Sequence, residues 1–181
     1  MHELSKLERF ESTVLLHLDA AYNLARWLTR DDTIAQDAVQ DACVRAFRFF
    51  DALQGPSPKT WFMAIVRNTC LDCLGEQRRG GSSEEFDETR HSMDEAHASS
   101  ALQSPEYAAL RNDDARQVRA AIAALPIEYR EVIVLRELEE LLYKEIGTIV
   151  KIPIGTVMSR LARGRDLLRE HLRAAHQKAI S

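Results

Sequence analysis

Glycine and proline are scarce, 7 and 5 among 181 residues. A chain of strands and tight turns needs such residues at short intervals, so a helical fold is the first expectation. No apolar run approaches the ~18 residues of a membrane span. The start, Met1 to Glu8, lacks the basic head and apolar middle of a signal peptide, so the protein is expected to stay in the cytoplasm with no membrane contact of its own. Only three cysteines occur, Cys43, Cys70 and Cys73. An odd number in a reducing compartment does not suggest a disulfide framework. There is no glycine-rich phosphate loop and no nucleophile–base pair, so nothing marks an enzyme, and no cofactor is expected.

Apolar residues make up 45% of the chain, enough to build a core. The formal net charge is −4, which speaks against a nucleic-acid surface if taken alone. Its distribution speaks otherwise. From Ser83 to Asp114 nine acidic side chains face only Arg90 and Arg111. From Lys151 to Lys178 seven basic side chains face only Asp166 and Glu170. An acidic middle and a basic end fit a linker joined to a DNA-facing module.

Helical spacing predicts a first helix over about 7–28, with Leu7, Phe10, Val14, Leu18, Ala21, Leu24 and Leu28 on one side. Asp31 or Asp32 can cap a second helix over about 33–49, whose inner stripe is Ile34, Ala38, Ala42 and Ala46 with Phe49. Gly55, Pro56 and Pro58 set a loop. A third helix covers about 59–77, with Trp61, Phe62, Ile65, Val66 and Thr69 inward. The stripe fails from Arg78 to about Ser104, which reads as a flexible acidic linker. Helices then follow over about 106–125, 127–139, 143–150 and 154–175. The expectation is an all-α protein of two small helical domains, 1–79 and 106–178, joined by a linker over 80–105.

The C-terminal segment is the sharpest signal. A short helix, a tight turn at Lys151, Ile152 and Pro153, and a longer basic helix describe a helix-turn-helix. Val157, Leu161, Gly164, Leu168 and Leu172 share one face and should meet the core. Thr156, Ser159, Arg160 and Arg163 lie opposite, in the half that enters the major groove in this motif. Arg165, Arg169 and Arg173 lie further along, where phosphates would be met. Taken singly, these arginines could also be an ordinary solvated face.

Two stretches in each half resemble extracytoplasmic-function (ECF) sigma factors. The run from Tyr143 to Arg165 is similar to the family's promoter-binding helix-turn-helix, and Leu125 to Arg136 to the helix before it. Ala35 to Phe47 resembles the polymerase-binding helix. Trp61 to Asp72 resembles the helix for the −10 promoter element. The resemblance implies an alternative sigma factor with no catalysis of its own. It implies three partners: core RNA polymerase through its β′ and β subunits, promoter DNA, and an anti-sigma factor. It assigns Asp37, Gln40, Asp41 and Arg45 to the polymerase, and Asn68 and Asp72 to the −10 element with Arg78 and Arg79 beyond. Trp61 could stack on an unpaired base or serve the core. Residues 50–57 match the family's pocket for a flipped-out base. Thr156, Ser159, Arg160, Arg163 and Arg165 fall to the −35 element.

Three positions depart from the family pattern. Gly75, followed by Glu76, stands where a basic residue is usual. Lys151 replaces a glycine, and at positive φ this costs about 1 kcal/mol. Leu142 replaces a serine that would cap the next helix.

Cys70 and Cys73 form a CxxC, which can mean metal or redox chemistry. No second pair lies at metal spacing, so buried structural thiols are expected and no metal site. Glu137, Glu139 and Glu140 could hold a divalent ion, although a solvated helix junction is the simpler reading. A stand-alone helix-turn-helix repressor would explain the C-terminal half but leave the two N-terminal stretches as mere core helices.

Overall fold

The computed structural model describes residues 5–53, 57–80 and 105–180. Residues 81–104 of the expected linker and 54–56 of the loop lie outside the described residues. Among the described residues there are eight α-helices and no strand. They are α1 (Lys6–Thr13), α2 (Leu18–Thr29), α3 (Asp32–Arg48), α4 (Pro58–Arg79), α5 (Pro105–Ala123), α6 (Ile127–Ile133), α7 (Tyr143–Val150) and α8 (Ile154–Ile180).

The helix starts follow their caps. Ser5 accepts from the Glu8 amide while its own amide donates to the Glu8 carboxylate, a capping box. Asp31 accepts from the Ile34 amide at 2.9 Å. Ser57 accepts from the Thr60 amide at 3.0 Å, and Pro58, with no amide hydrogen to satisfy, opens α4.

The single helix expected over 7–28 is two helices. A 3₁₀ turn at Leu15–His17 separates α1 from α2. Val14, before the turn, is fully buried, and the bend folds α1 over the end of α3. There Phe10 meets Phe47 and Phe50 edge-on, at centroid distances of 5.3 and 5.4 Å. The aromatic anchor at the end of α3 also differs from expectation: Phe49 is 62% exposed and Phe50 is buried in its place.

Helices α2, α3 and α4 form the N-terminal bundle. Its packing is carried by Leu24 and Leu28, the alanine stripe of α3, and Phe62, Met63 and Val66 of α4. Small alanines let α3 lie close, and each large buried side chain contributes roughly 1.5–3 kcal/mol. In the C-terminal domain, α6, α7 and α8 pack through Val132, Ile133, Leu135, Ile146, Ile149, Val157 and Leu161. Helix α6 passes into a π turn over Val134–Leu138, and Glu140 beyond it takes positive φ.

The two domains are not separate bodies. Helix α4 packs on α7 and α2 packs on α6, and the buried residues of both domains form one continuous cluster.

Candidate nucleic-acid interface

The helix-turn-helix is α7, the turn at Lys151, and α8. Lys151 takes φ 60 and ψ 46, the left-handed conformation that favours glycine. The amides of Lys151 and Ile152 both turn back to the Gly147 carbonyl. A Cβ on Gly147 would lie 2.9 Å from the Ile152 carbonyl oxygen, so only glycine lets the turn close this tightly. Gly164 serves the same purpose between α8 and α6, where a Cβ would lie 2.9 Å from Ile133. Leu142 supplies no side-chain cap, as its apolar nature foretells. Glu145 compensates in part by accepting from the Leu142 amide at 2.8 Å.

On α8, Val157, Leu161 and Gly164 are buried as their spacing predicts. Ser159 and Arg163 are exposed, and Thr156, Arg160 and Arg165 are half-buried. Ser159 and Arg163 thus present themselves to solvent. Arg160 does not. Its guanidinium turns toward Glu131 of α6, 3.4 Å away. Arg165 is held by Glu137 at 2.6 Å, and that bond raises its pKa.

On α3, Asp37, Gln40 and Asp41 are exposed. Gln40 rims an apolar groove of about 520 Å³ between α2 and α3, floored by Leu18, Tyr22, Val39 and Val44. Arg45 bonds Asp41 at 2.8 Å and Asp72 of α4 at 3.2 Å. Those bonds, that to Asp72 first, raise its pKa. The structure therefore ties two residues expected to serve the polymerase to one expected to serve the −10 element.

On α4, Asp72, Arg78 and Arg79 are exposed and Asn68 is half-buried. Trp61 is partly buried and packs against the core. Arg78 and Arg79 close the last turn, where cations suit the helix dipole, and Arg79 donates to the Gly75 carbonyl. Cys70 is fully buried and burial pushes its thiol up to about 12. Burial also raises Cys43 and Cys73. No group of three or more metal-ligating side chains occurs among the described residues.

Sequence reasoning missed the contacts between the domains. Arg67 of α4 donates two bonds to Glu131, at 2.8 and 3.2 Å, and Glu131 is only 3% exposed. Arg130 donates to the carbonyls of Leu125 and, across the gap, Trp27. Burial and Arg30 lower its pKa to about 10, so it stays charged near neutrality. Glu139 accepts from Asn23 at 2.7 Å and pairs with Lys59 at 3.6 Å. Its side chain is 10% exposed, which corrects the reading of this junction as solvated at Glu139, whereas Glu137 and Glu140 are exposed. Thr60 donates to Glu145. One signal was present: Arg130 and Glu131 lead straight into the apolar run Val132 to Leu135, and buried charges seldom occur without partners.

The geometry agrees with comparison to known proteins. Residues 13–80 match the model of Sigma-70 region 2, and residues 115–168 match that of Sigma-70, region 4. The RNA polymerase sigma-H factor of Pseudomonas aeruginosa is 32% identical over 172 residues, 94% of this chain and 89% of that protein. The ECF RNA polymerase sigma-E factor of Escherichia coli K12 is 34% identical over 134 residues, 73% of this chain and 70% of that one. The chain belongs to the ECF family of RNA polymerase sigma factors.

The likeness extends to solved structures. The sigma factor RpoE of Bartonella quintana, solved in complex with the anti-sigma factor NepR, superposes with a TM-score of 0.73 at 25% identity. The match covers 91% of this chain and 96% of that one. As a sigma factor the protein binds core RNA polymerase and promoter DNA and directs initiation. No described helix is long and apolar enough to cross a membrane.

Proposed function

We propose that this ECF sigma factor works through three surfaces of its own. The N-terminal domain, residues 1–79, docks on the β′ subunit of core polymerase through Asp37, Gln40, Asp41 and Arg45 on α3. The observation that carries this is the polar, mixed-charge face of α3 beside an apolar groove, with Gln40 in both. Such a face can pair with a charged helix while the groove takes apolar side chains.

Helix α4 and the loop before it capture the melted −10 element through Trp61, Asn68, Asp72, Arg78 and Arg79. The acidic linker, residues 80–105, threads the polymerase near its RNA exit path. The C-terminal domain, residues 106–178, reads the −35 element as duplex through Thr156, Ser159, Arg160, Arg163 and Arg165. The protein acts in the cytoplasm, catalyses nothing itself, and is held in check by an anti-sigma factor. The complex of its Bartonella relative with NepR supports that last assignment.

The test is binding of the purified chain to sigma-free core polymerase, with Gln40→Ala and Asp41→Ala in parallel. Specific binding that a housekeeping sigma factor displaces, and that the variants lose, supports the assignment. Undiminished binding by both variants removes α3 from the docking surface.

A further inference from the structure

The face of α8 that opens to solvent is less basic than its arginine count implies. Three arginines lie in its first half, Arg160, Arg163 and Arg165. Arg160 turns to Glu131 at 3.4 Å, and Arg165 is held by Glu137 at 2.6 Å. Ser159 donates its hydroxyl to the Thr156 carbonyl at 3.1 Å. Between these polar groups the helix presents two large apolar side chains. Ile154 is 47% exposed and Met158 is 54% exposed. They stand one turn apart and so share one side of the helix. That side is turned away from Val157 and Leu161, which are buried in the core. Gly155 lies beside them, and a Cβ there would meet nothing within 4 Å. No contact inside the protein asks for glycine at that position, whereas a bare backbone lets the start of α8 approach a ligand closely.

In the major groove every base pair shows hydrogen-bonding groups, and thymine adds a methyl group. That methyl is the apolar feature a side chain can read there. We propose that Met158 is a specificity-determining residue of this sigma factor, packing on the C5-methyl of a thymine within the −35 element. Ile154, one turn away, shields the same contact from water. Methionine suits the role, because its unbranched side chain and polarisable sulfur adapt to a methyl group on either strand. The guanidinium groups nearby serve hydrogen-bond acceptors instead. Single exposed apolar side chains are common and need no explanation. Two of them, one turn apart in the N-terminal half of a recognition helix, occupy the place from which bases are read. The proposal rests on the reading of α8 as the −35 helix and adds a base that it selects.

The experiment uses holoenzyme, the full chain with core polymerase. Random-sequence duplex DNA is selected on it to define the −10 and −35 elements it binds. In a duplex of the selected sequence, each −35 thymine is then replaced in turn by deoxyuridine. That change removes one methyl group and keeps every hydrogen-bonding group. Met158→Ala, Met158→Gln and Arg163→Ala are compared with the wild-type chain in the same titrations. Met158 is exposed, so both of its variants should keep the thermal melt of the wild type. The uracil substitution alters no protein residue at all.

At one −35 thymine, deoxyuridine should weaken wild-type binding roughly fourfold, the effect of one buried methyl group. Both Met158 variants should bind the thymine and uracil duplexes alike. Arg163→Ala should weaken binding to both and keep the fourfold ratio. A selected −35 element without thymine, or uracil tolerated at every −35 position, overturns the proposal. So does an undiminished uracil effect in the Met158 variants. Failure of the underlying reading looks different: Met158→Ala and Arg163→Ala would then both select the wild-type −35 sequence with wild-type affinity, and both readings would fall together.

Discussion

The guanidinium of Arg45 on α3 reaches the carboxylate of Asp72 on α4 across 3.2 Å, and it holds Asp41 at 2.8 Å with its other arm. This small network links the helix proposed to dock on the polymerase to the one proposed to meet the promoter. Its members are 44–59% exposed, so water screens it and its share of stability is small. Arg45→Ala is expected to cost under about 1 kcal/mol in urea unfolding. Its affinity for core polymerase should nevertheless fall severalfold in fluorescence anisotropy. Equal losses in Arg45→Ala and Arg48→Ala would show a general charge effect instead.

Glu131 belongs to the opposite regime. Removing it strands two guanidinium groups at a largely buried site, so Glu131→Ala should destabilise the protein by about 3 kcal/mol. The double variant Arg67→Met with Glu131→Met removes both charges and fills the space, and should recover most of that loss. Chemical denaturation followed by circular dichroism distinguishes the two.

Lys151 occupies a left-handed position without being glycine. Lys151→Gly should stabilise the C-terminal domain by about 1 kcal/mol, whereas Lys151→Ala retains the strain and gains nothing. The reverse holds at Gly147, where a methyl group would press on a backbone carbonyl. Gly147→Ala should cost roughly 1–3 kcal/mol. Thermal melts of the four proteins side by side would test both.

The cysteines should separate by burial. At pH 8, iodoacetamide is expected to modify Cys43 and Cys73 slowly and to leave Cys70 intact until the protein unfolds, as peptide mass spectrometry would show. The folded Cys70 thiol keeps its proton up to about 12, whereas an unperturbed one releases it near 9.0. The folded pKa is raised, so this contribution to stability is complete below pH 9 and is lost as pH rises toward 12. Early alkylation of Cys70 in the native protein would contradict its burial.

Much of this was legible in the sequence because it follows from local rules. The bounds of α7 were read without error, since a proline-containing turn closes it and its apolar face repeats without interruption. Asp31, one of the two caps expected for α3, caps it by the same short-range chemistry. The left-handed position of Lys151 was foreshadowed by the family resemblance, which has glycine there. The break at Val14 was not, because it answers to Phe47 and Phe50, residues distant along the chain. Nor was the true position of Arg160. On its own helix it belongs to the exposed face, and only the approach of α6 supplies Glu131 and turns it inward. Likewise Glu139 read as solvated because nothing near it in sequence marks Asn23 and Lys59 as partners.

The pairs across the gap are each split between the halves of the chain: Arg67 with Glu131, Asn23 with Glu139, Thr60 with Glu145. That division bears on inheritance and on engineering. A chimera that takes its C-terminal half from a relative receives one member of each pair without the other. Its two modules then meet at the seam without the bonds that join them here. Exchangeable promoter specificity in this protein thus carries a hidden dependency, and transplanting the three partners along with the recognition helix is the way to preserve it.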